Sequence, residues 1–240
     1  RPDALPAASW AQIDAGNASG DQWDMLAQSE FTAPTARLAQ LAAELGVARD
    51  ADPLTTLLSL NHLLHRAIAY DAASTRVDSP IDEALEHRRG VCQDYTHIML
   101  ALVRHYLRIP CRYVSGYLFH SRADTSADGA SHAWLDVLLP ELGWVGFDPT
   151  NDTVVGERHI EVAVGRDYSD VPPTRGMYKG NAGSELAVSV RVRLIQDMVA
   201  KDEPFESDGG ETPVYRSTAQ QLHARYAETL AAIQMQQQQQ

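Results

Sequence analysis

Arg89-Gly90-Val91-Cys92-Gln93-Asp94-Tyr95-Thr96-His97-Ile98-Met99-Leu100 is the stretch on which the fold turns. Apolar residues continue it at Ala101, Leu102, Val103 and Leu107, and the run predicts a helix that starts near Cys92 and ends before Pro110. A cysteine at a helix start sits where unpaired N–H groups and the helix dipole favour its thiolate, the nucleophilic form. Gly90 gives the chain freedom to turn sharply just before it. A lone cysteine is more often a buried, inert thiol, so the reading depends on what else the chain supplies.

Two later segments supply it. Ser131-His132-Ala133-Trp134-Leu135-Asp136-Val137 and Gly143-Trp144-Val145-Gly146-Phe147-Asp148-Pro149-Thr150 both have strand character, with Pro140 to Gly143 between them. The pair predicts an antiparallel hairpin. Folding it about its turn brings Asp148 back beside His132, to within a residue or two of register. Period-two alternation puts His132, Trp134 and Asp136 on one face and Ala133, Leu135, Val137 and Leu139 on the core face. Trp134 is a candidate wall of the site that excludes water, or a packing residue, and the two roles are compatible. Asp136 is a candidate support for the site, although a lone acid on a strand is usually solvated.

The blocks Gly90-Val91-Cys92-Gln93-Asp94, His132-Ala133-Trp134 and Gly143 to Asn151 together resemble the bacterial transglutaminase-like superfamily, a papain-like group of cysteine enzymes. The resemblance continues through Ile109 to Tyr117, His159-Ile160, Val164 to Tyr168 and Asp170 to Pro173, and spans roughly residues 55 to 185. It implies a Cys–His–Asp triad that maps onto Cys92, His132 and Asp148. It also implies an α+β fold with a papain-like, transglutaminase-type core: a helical first half, with the nucleophile helix packed on an antiparallel β-sheet. Many members carry a β-rich domain ahead of the catalytic one, so residues 1 to 32 read as the end of such a domain or the chain just after it.

Composition narrows the function classes. The chain has 240 residues, 44% of them apolar, which is enough for one full core. A net charge of −12 argues against nucleic acid as a partner and against adhesion to an anionic membrane. No run reaches the roughly 18 apolar residues of a membrane span. Two cysteines, Cys92 and Cys111, do not make a disulfide framework, and bridging them would block the nucleophile, so both are expected as free thiols, Cys111 as ordinary core. The chain begins at Arg1 rather than Met, which leaves a removed leader open; the expected location is the cytoplasm.

Three regions are expected. Residues 1–52 form an N-terminal extension, irregular apart from a short helix near Gln22 to Gln28 and a helix from Pro34 to Leu45 capped by Thr32 or Thr35. Residues 53–200 form the catalytic domain. It opens on a helix from Pro53 to Tyr70, capped by Asp52, and continues with a short helix after Ser79 as cap and Pro80 at its first position. His62 and His65 on the long helix lack partners that would complete a metal set, and are expected as surface or core residues. Arg88 and Arg89 are expected as exposed helix-end cations, though they could also raise the potential near Cys92. A strand follows over Arg112 to Phe119. The loop His120 to Ala130 leads into His132 and helps line the cleft, and a last strand runs over 185 to 196. Residues 201–240 form an acidic linker, a weak helix from Ser217 to Met235 and a disordered tail Gln236–Gln240.

The chemistry expected of this set is acyl transfer. Cys92 attacks a peptide or carboxamide carbonyl, His132 moves the proton, and Asp148 orients the imidazole and stabilises its cation. Backbone N–H groups at the helix start hold the oxyanion. Gln93 is a candidate oxyanion or cleft-lining residue, although its place on the helix points it elsewhere. The thioester then goes to water, giving a protease or amidase, or to a lysine amine, giving a protein-crosslinking transglutaminase. A non-catalytic binding or scaffold module of the same fold is the reading from another class. The expected partner is a protein or peptide substrate, with no cofactor and no metal ion. The expected pH profile is bell-shaped, bounded by formation of the ion pair and by loss of the imidazolium proton.

Overall fold

The structure is a computed structural model that describes residues 5–6, 9–50, 52–127, 129–172 and 190–193. The chain opens with helix α1 (Ser9–Ser19), where irregular chain was expected. Only Ser9 and Ile13 of α1 are buried, so no apolar period announces it. Contacts with distant chain hold it instead: Trp10 Nε1 donates to Asp50 O at 2.7 Å, and Asn17 Nδ2 to Arg108 O at 2.7 Å. The short helix α2 (Trp23–Leu26) falls where one was expected, followed by a 3-10 turn at Glu30–Thr32.

Helices α3 (Ala36–Glu44) and α4 (Pro53–Ala67) start as their caps dictate. Thr35 Oγ1 accepts from Leu38 N, and Asp52 Oδ1 accepts from Leu54 N and Thr55 N with Pro53 in the first turn. α4 stops short of Tyr70 because the next residues leave the helix as strand β1 (Ala69–Tyr70). In helix α5 (Ile81–His87) Pro80, not Ser79, holds the cap position; Ser79 Oγ accepts from Arg76 N and shapes the preceding turn. Strand β2 (Arg89–Gly90) pairs in parallel with β1, Tyr70 opposite Gly90. Arg88 pairs with Glu44 and Arg89 lies exposed beside Asp71, which fits the helix-end reading of both.

Helix α6 (Cys92–Leu102) buries every side chain from Gln93 to Leu102 and ends in a π-helical turn at Val103–Leu107. It is buried on every side, its polar Gln93, Asp94, Thr96 and His97 included, and so runs through the core. It packs on a five-stranded antiparallel sheet: β3 (Cys111–Leu118), β4 (His132–Leu139), β5 (Gly143–Asp148), β6 (Thr153–Val154) and β7 (His159–Gly165), in the order β6-β5-β4-β3-β7. The β4–β5 turn uses left-handed backbone at Glu141 and Gly143. Leu38 and Leu41 of α3, Leu57, Leu58 and Leu64 of α4, and Leu135 and Phe147 of the sheet join one hydrophobic cluster with α6. The fold is therefore α+β, a helical first half on an antiparallel sheet.

Two buried charges lock the sheet. Arg104, wholly buried, donates to Met25 O, Thr32 Oγ1, Cys111 O and Arg166 O, tying the N-terminal helices to β3 and the chain after β7. Asp136 is not solvated as expected. It is buried and takes two bonds from Arg112 at 3.0 and 2.8 Å, with that guanidinium over the Trp144 ring at 4.5 Å. The pairing follows from register, because Arg112 lies directly opposite Asp136 across β3 and β4.

Cys111 is buried core and free, its thiol pushed up to about 11 by burial. None of the described helices is long and apolar enough to cross a membrane. Of the strand expected over 185–196 only 190–193 are described; they lie outside any strand, and Val190 N donates to Gly129 O at 3.0 Å. The linker, helix and glutamine tail expected over 201–240 lie outside the described residues.

Candidate active site

Cys92 is the first residue of α6, so its N–H has no acceptor inside the helix. Asp94 fixes this start by reaching back: its Oδ2 accepts from Val91 N at 2.8 Å and from Thr75 Oγ1 at 2.5 Å. That reach explains Gly90 better than a sharp turn does. Gly90 has no left-handed backbone, but a Cβ there would lie 2.8 Å from Asp94 Cβ. The glycine is needed for space.

His132 begins β4 and Asp148 ends β5, and the hairpin brings their side chains together, with His132 Nε2 2.7 Å from Asp148 Oδ2. With Nε2 so engaged, Nδ1 is the ring nitrogen left to face Cys92, whose sulfur favours the imidazole's charged form. The three residues sequence reasoning put forward as a triad therefore meet. Cys92 and His132 share a cleft of about 250 Å³, walled by Tyr70, Val77, Gln93 and Tyr113 and by the loop residues Ala127 and Ala130.

The carboxylate is the hub. Asp148 Oδ1 accepts from Thr150 N at 3.1 Å and Asn151 N at 3.2 Å. Its Oδ2 takes His132 Nε2, Asn151 Nδ2 at 2.8 Å and His159 Nε2 at 3.1 Å. Burial alone would push Asp148 up. The charge and hydrogen bond of His132 and the bond from His159 overcome it and hold the carboxyl well below the usual carboxylate range. Burial likewise disfavours the His132 cation, but the facing Asp148 charge, its hydrogen bond and Cys92 raise the imidazole to about 10. An imidazolium facing Cys92 is the partner a thiolate requires.

Two residues of this hub were not assigned a role from sequence. Asn151 bridges the site to the loop above it: Oδ1 accepts from Thr125 N and Ser126 N, which fixes the amide so that Nδ2 faces Asp148. His159, at the start of β7, accepts from Gly156 N on Nδ1 at 3.3 Å, which places its ring hydrogen on Nε2, toward Asp148. Both lie inside the quoted family blocks, and that was their one sequence signal. His132, Asp148 and His159 put their ligand atoms within 4.8 Å of one another, a donor set of metal-binding type; the carboxylate shared between two ring N–H groups already accounts for the clustering.

Other candidates are placed as follows. Trp134 does not wall the cleft. It is buried behind the site, its ring meeting His159 edge-on at 5.2 Å and His132 at 6.1 Å. Gln93 does line the cleft, and its Nε2 donates to Val77 O at 2.9 Å, securing the opposite wall. His62 and His65 serve the turn after Asp148: His62 Nδ1 lies 2.7 Å from Asp152 Oδ2, and His65 Nδ1 is 3.1 Å from Thr150 O.

The chain is similar to several known proteins. Residues 39–149 match the profile of the transglutaminase-like superfamily. An uncharacterized protein of Mycobacterium leprae is 36% identical over 177 residues, covering 72% of this chain and 61% of that protein. A protein-glutamine gamma-glutamyltransferase of Pseudomonas aeruginosa is 28% identical over 159 residues, 60% of this chain and 23% of that enzyme. Among solved structures, a Cytophaga hutchinsonii protein proposed to be a cysteine protease superposes with a TM-score of 0.53 at 25% identity, over 64% of this chain and 50% of that one. The chain thus spans less than two thirds of the length of each of these relatives.

Proposed function

We propose, from the match of residues 39–149 to the transglutaminase-like superfamily, that the chain is a cysteine-dependent acyl-transfer enzyme acting on amide bonds, with Cys92 as nucleophile, His132 as acid–base and Asp148 as orienter. One observation carries the reading. Cys92 stands at the first position of a buried helix, in one cleft with a histidine whose far nitrogen is bound at 2.7 Å to a wholly buried carboxylate.

Cys92 Sγ, deprotonated to the His132 imidazolium, attacks the acyl carbon. The carbonyl π pair moves onto oxygen. On collapse the C–N bond breaks, and the leaving amine takes the His132 proton. A thioester remains on Cys92. Water, activated by the now neutral His132, releases it as an acid. Throughout, Asp148 stays ionised and fixes the ring, because five donors already surround it.

Hydrolysis is the favoured outcome, making the protein a protease or amidase that acts on a protein or peptide in the cytoplasm. Release to an amine is the second reading, supported by similarity to a protein named as a gamma-glutamyltransferase. Incubation with glutamine-containing peptides and a fluorescent primary amine separates them. Hydrolysis is expected to give ammonia or cleaved peptide with no amine incorporated, and Cys92→Ala to give neither. Amine incorporation as the main product would establish the crosslinking reading. Turnover that survives in Cys92→Ala would remove Cys92 from the mechanism.

A further inference from the structure

We propose that the Tyr70 hydroxyl is the side-chain member of the oxyanion hole, acting with the Cys92 N–H; this rests on the acyl-transfer reading above. The chain goes to some length to put Tyr70 where it is. α4 ends at Ala67 rather than running on, and the two residues Ala69–Tyr70 form a short parallel ladder on Arg89–Gly90. Ala69 N donates to Arg88 O at 2.8 Å and Asp71 N to Gly90 O at 3.0 Å. Tyr70 is thereby locked opposite Gly90, beside the chain as it enters the nucleophile helix, and its side chain lines the cleft with Cys92 and His132.

The hydroxyl is also set in direction. Its oxygen accepts from Ala127 N at 3.1 Å, on the loop that covers the cleft. With that lone pair used, the O–H hydrogen is free to point into the cleft. Burial raises the phenol's pKa, the Ala127 bond lowers it somewhat and the charge at Cys92 raises it again, so the group stays a protonated donor at neutral pH and lies within electrostatic reach of the sulfur. Gln93, whose amide also lines the cleft, has its nitrogen on Val77 O.

In the step this serves, Sγ forms its bond to the acyl carbon and the oxygen gains the former π pair. Tyr70 gives that oxygen a hydrogen bond without transferring its proton, and the bond weakens again when the pair returns to expel the amine. A donor aimed at charge that exists only in the transition state raises kcat and leaves ground-state binding alone.

The test compares Tyr70→Phe with the parent in two reactions of the same sulfur. Alkylation by iodoacetamide displaces iodide and builds no oxyanion; turnover of a peptide amide, and binding of an N-acetylated tripeptide aldehyde, both do. Tyr70→Phe is expected to keep the parent's alkylation rate and KM while kcat falls about 10²-fold and the aldehyde binds at least about tenfold more weakly. Unchanged kcat and aldehyde affinity in Tyr70→Phe would overturn the assignment while leaving the triad intact. A parallel fall in alkylation would show Tyr70 acting on the thiolate instead, which also overturns it. If the parent neither alkylates nor turns over, the acyl-transfer reading itself falls, and Tyr70 with it.

Discussion

Asp148→Ala is expected to lower the stability of the fold by about 3–5 kcal/mol, the range found when one member of a buried charged pair is removed, and to abolish turnover in whatever remains folded. The side chain is wholly buried and takes bonds from two imidazoles, one amide side chain and two backbone N–H groups. Alanine leaves all five donors inside the protein without their acceptor, and it leaves the raised His132 cation without its counter-charge. Denaturant unfolding of the two proteins gives the difference directly.

The same pair makes stability depend on pH, with opposite signs for its two members. The Asp148 pKa is depressed by folding, so its contribution is present above the ordinary carboxylate value of about 3.9 and is lost as pH falls below it. His132 is raised to about 10, so its contribution is full below its unfolded value near 6.5 and is lost as pH rises towards about 10. The parent's unfolding midpoint should therefore decline from about pH 6.5 upward, and Asp148→Ala should lack that decline. The same slope in both proteins would assign the alkaline loss to other groups.

Gly116→Ala is the second large effect, and it needs no change of charge. Gly116 sits on β3 where the pairing with β7 shifts register, between the Trp134 ring and the β7 backbone. An added Cβ would lie 2.5 Å from Trp134 Cη2 and would collide with the carbonyl oxygen of Ile160. Neither neighbour can yield. Trp134 is buried against His159, and the carbonyl belongs to the strand. Overpacking of this kind costs about 3 kcal/mol. Any relaxation would move β7 or Trp134 and with them His159, so turnover should fall further than unfolding alone explains. A thermal midpoint equal to the parent's would show that β7 shifts without penalty and that the contact is not a constraint.

Much of this site could be read from the sequence because its parts are local. Cys92 opens a helix that its own apolar run defines, and His132 and Asp148 occupy the two ends of one hairpin whose turn is marked by Pro140 and Gly143. Caps as plain as Thr35 and Asp52 fixed two more helices. The misreadings share a different cause, in that each depends on which distant segments meet. Helix α1 has one buried apolar residue and is held by Asp50 and Arg108. Asp136 is buried because β3 places Arg112 opposite it. His159 reaches Asp148 although β7 joins the sheet beyond β3, with two strands between it and β5, an order no pattern in the chain announces. Trp134 alternates onto the face of His132 as expected, yet that position supports the site from behind rather than from the cleft.

The central claim is that Cys92 and His132 form an activated pair. Brief iodoacetamide treatment at about pH 6, read by intact mass on the parent and on His132→Ala, tests it most directly, because an ordinary thiol with a pKa near 8.5 is almost entirely protonated there. Fast single labelling of Cys92 is expected in the parent, with Cys111 buried and unlabelled, and the labelling should disappear in His132→Ala. Slow labelling in both proteins, or equal fast labelling in both, would contradict it.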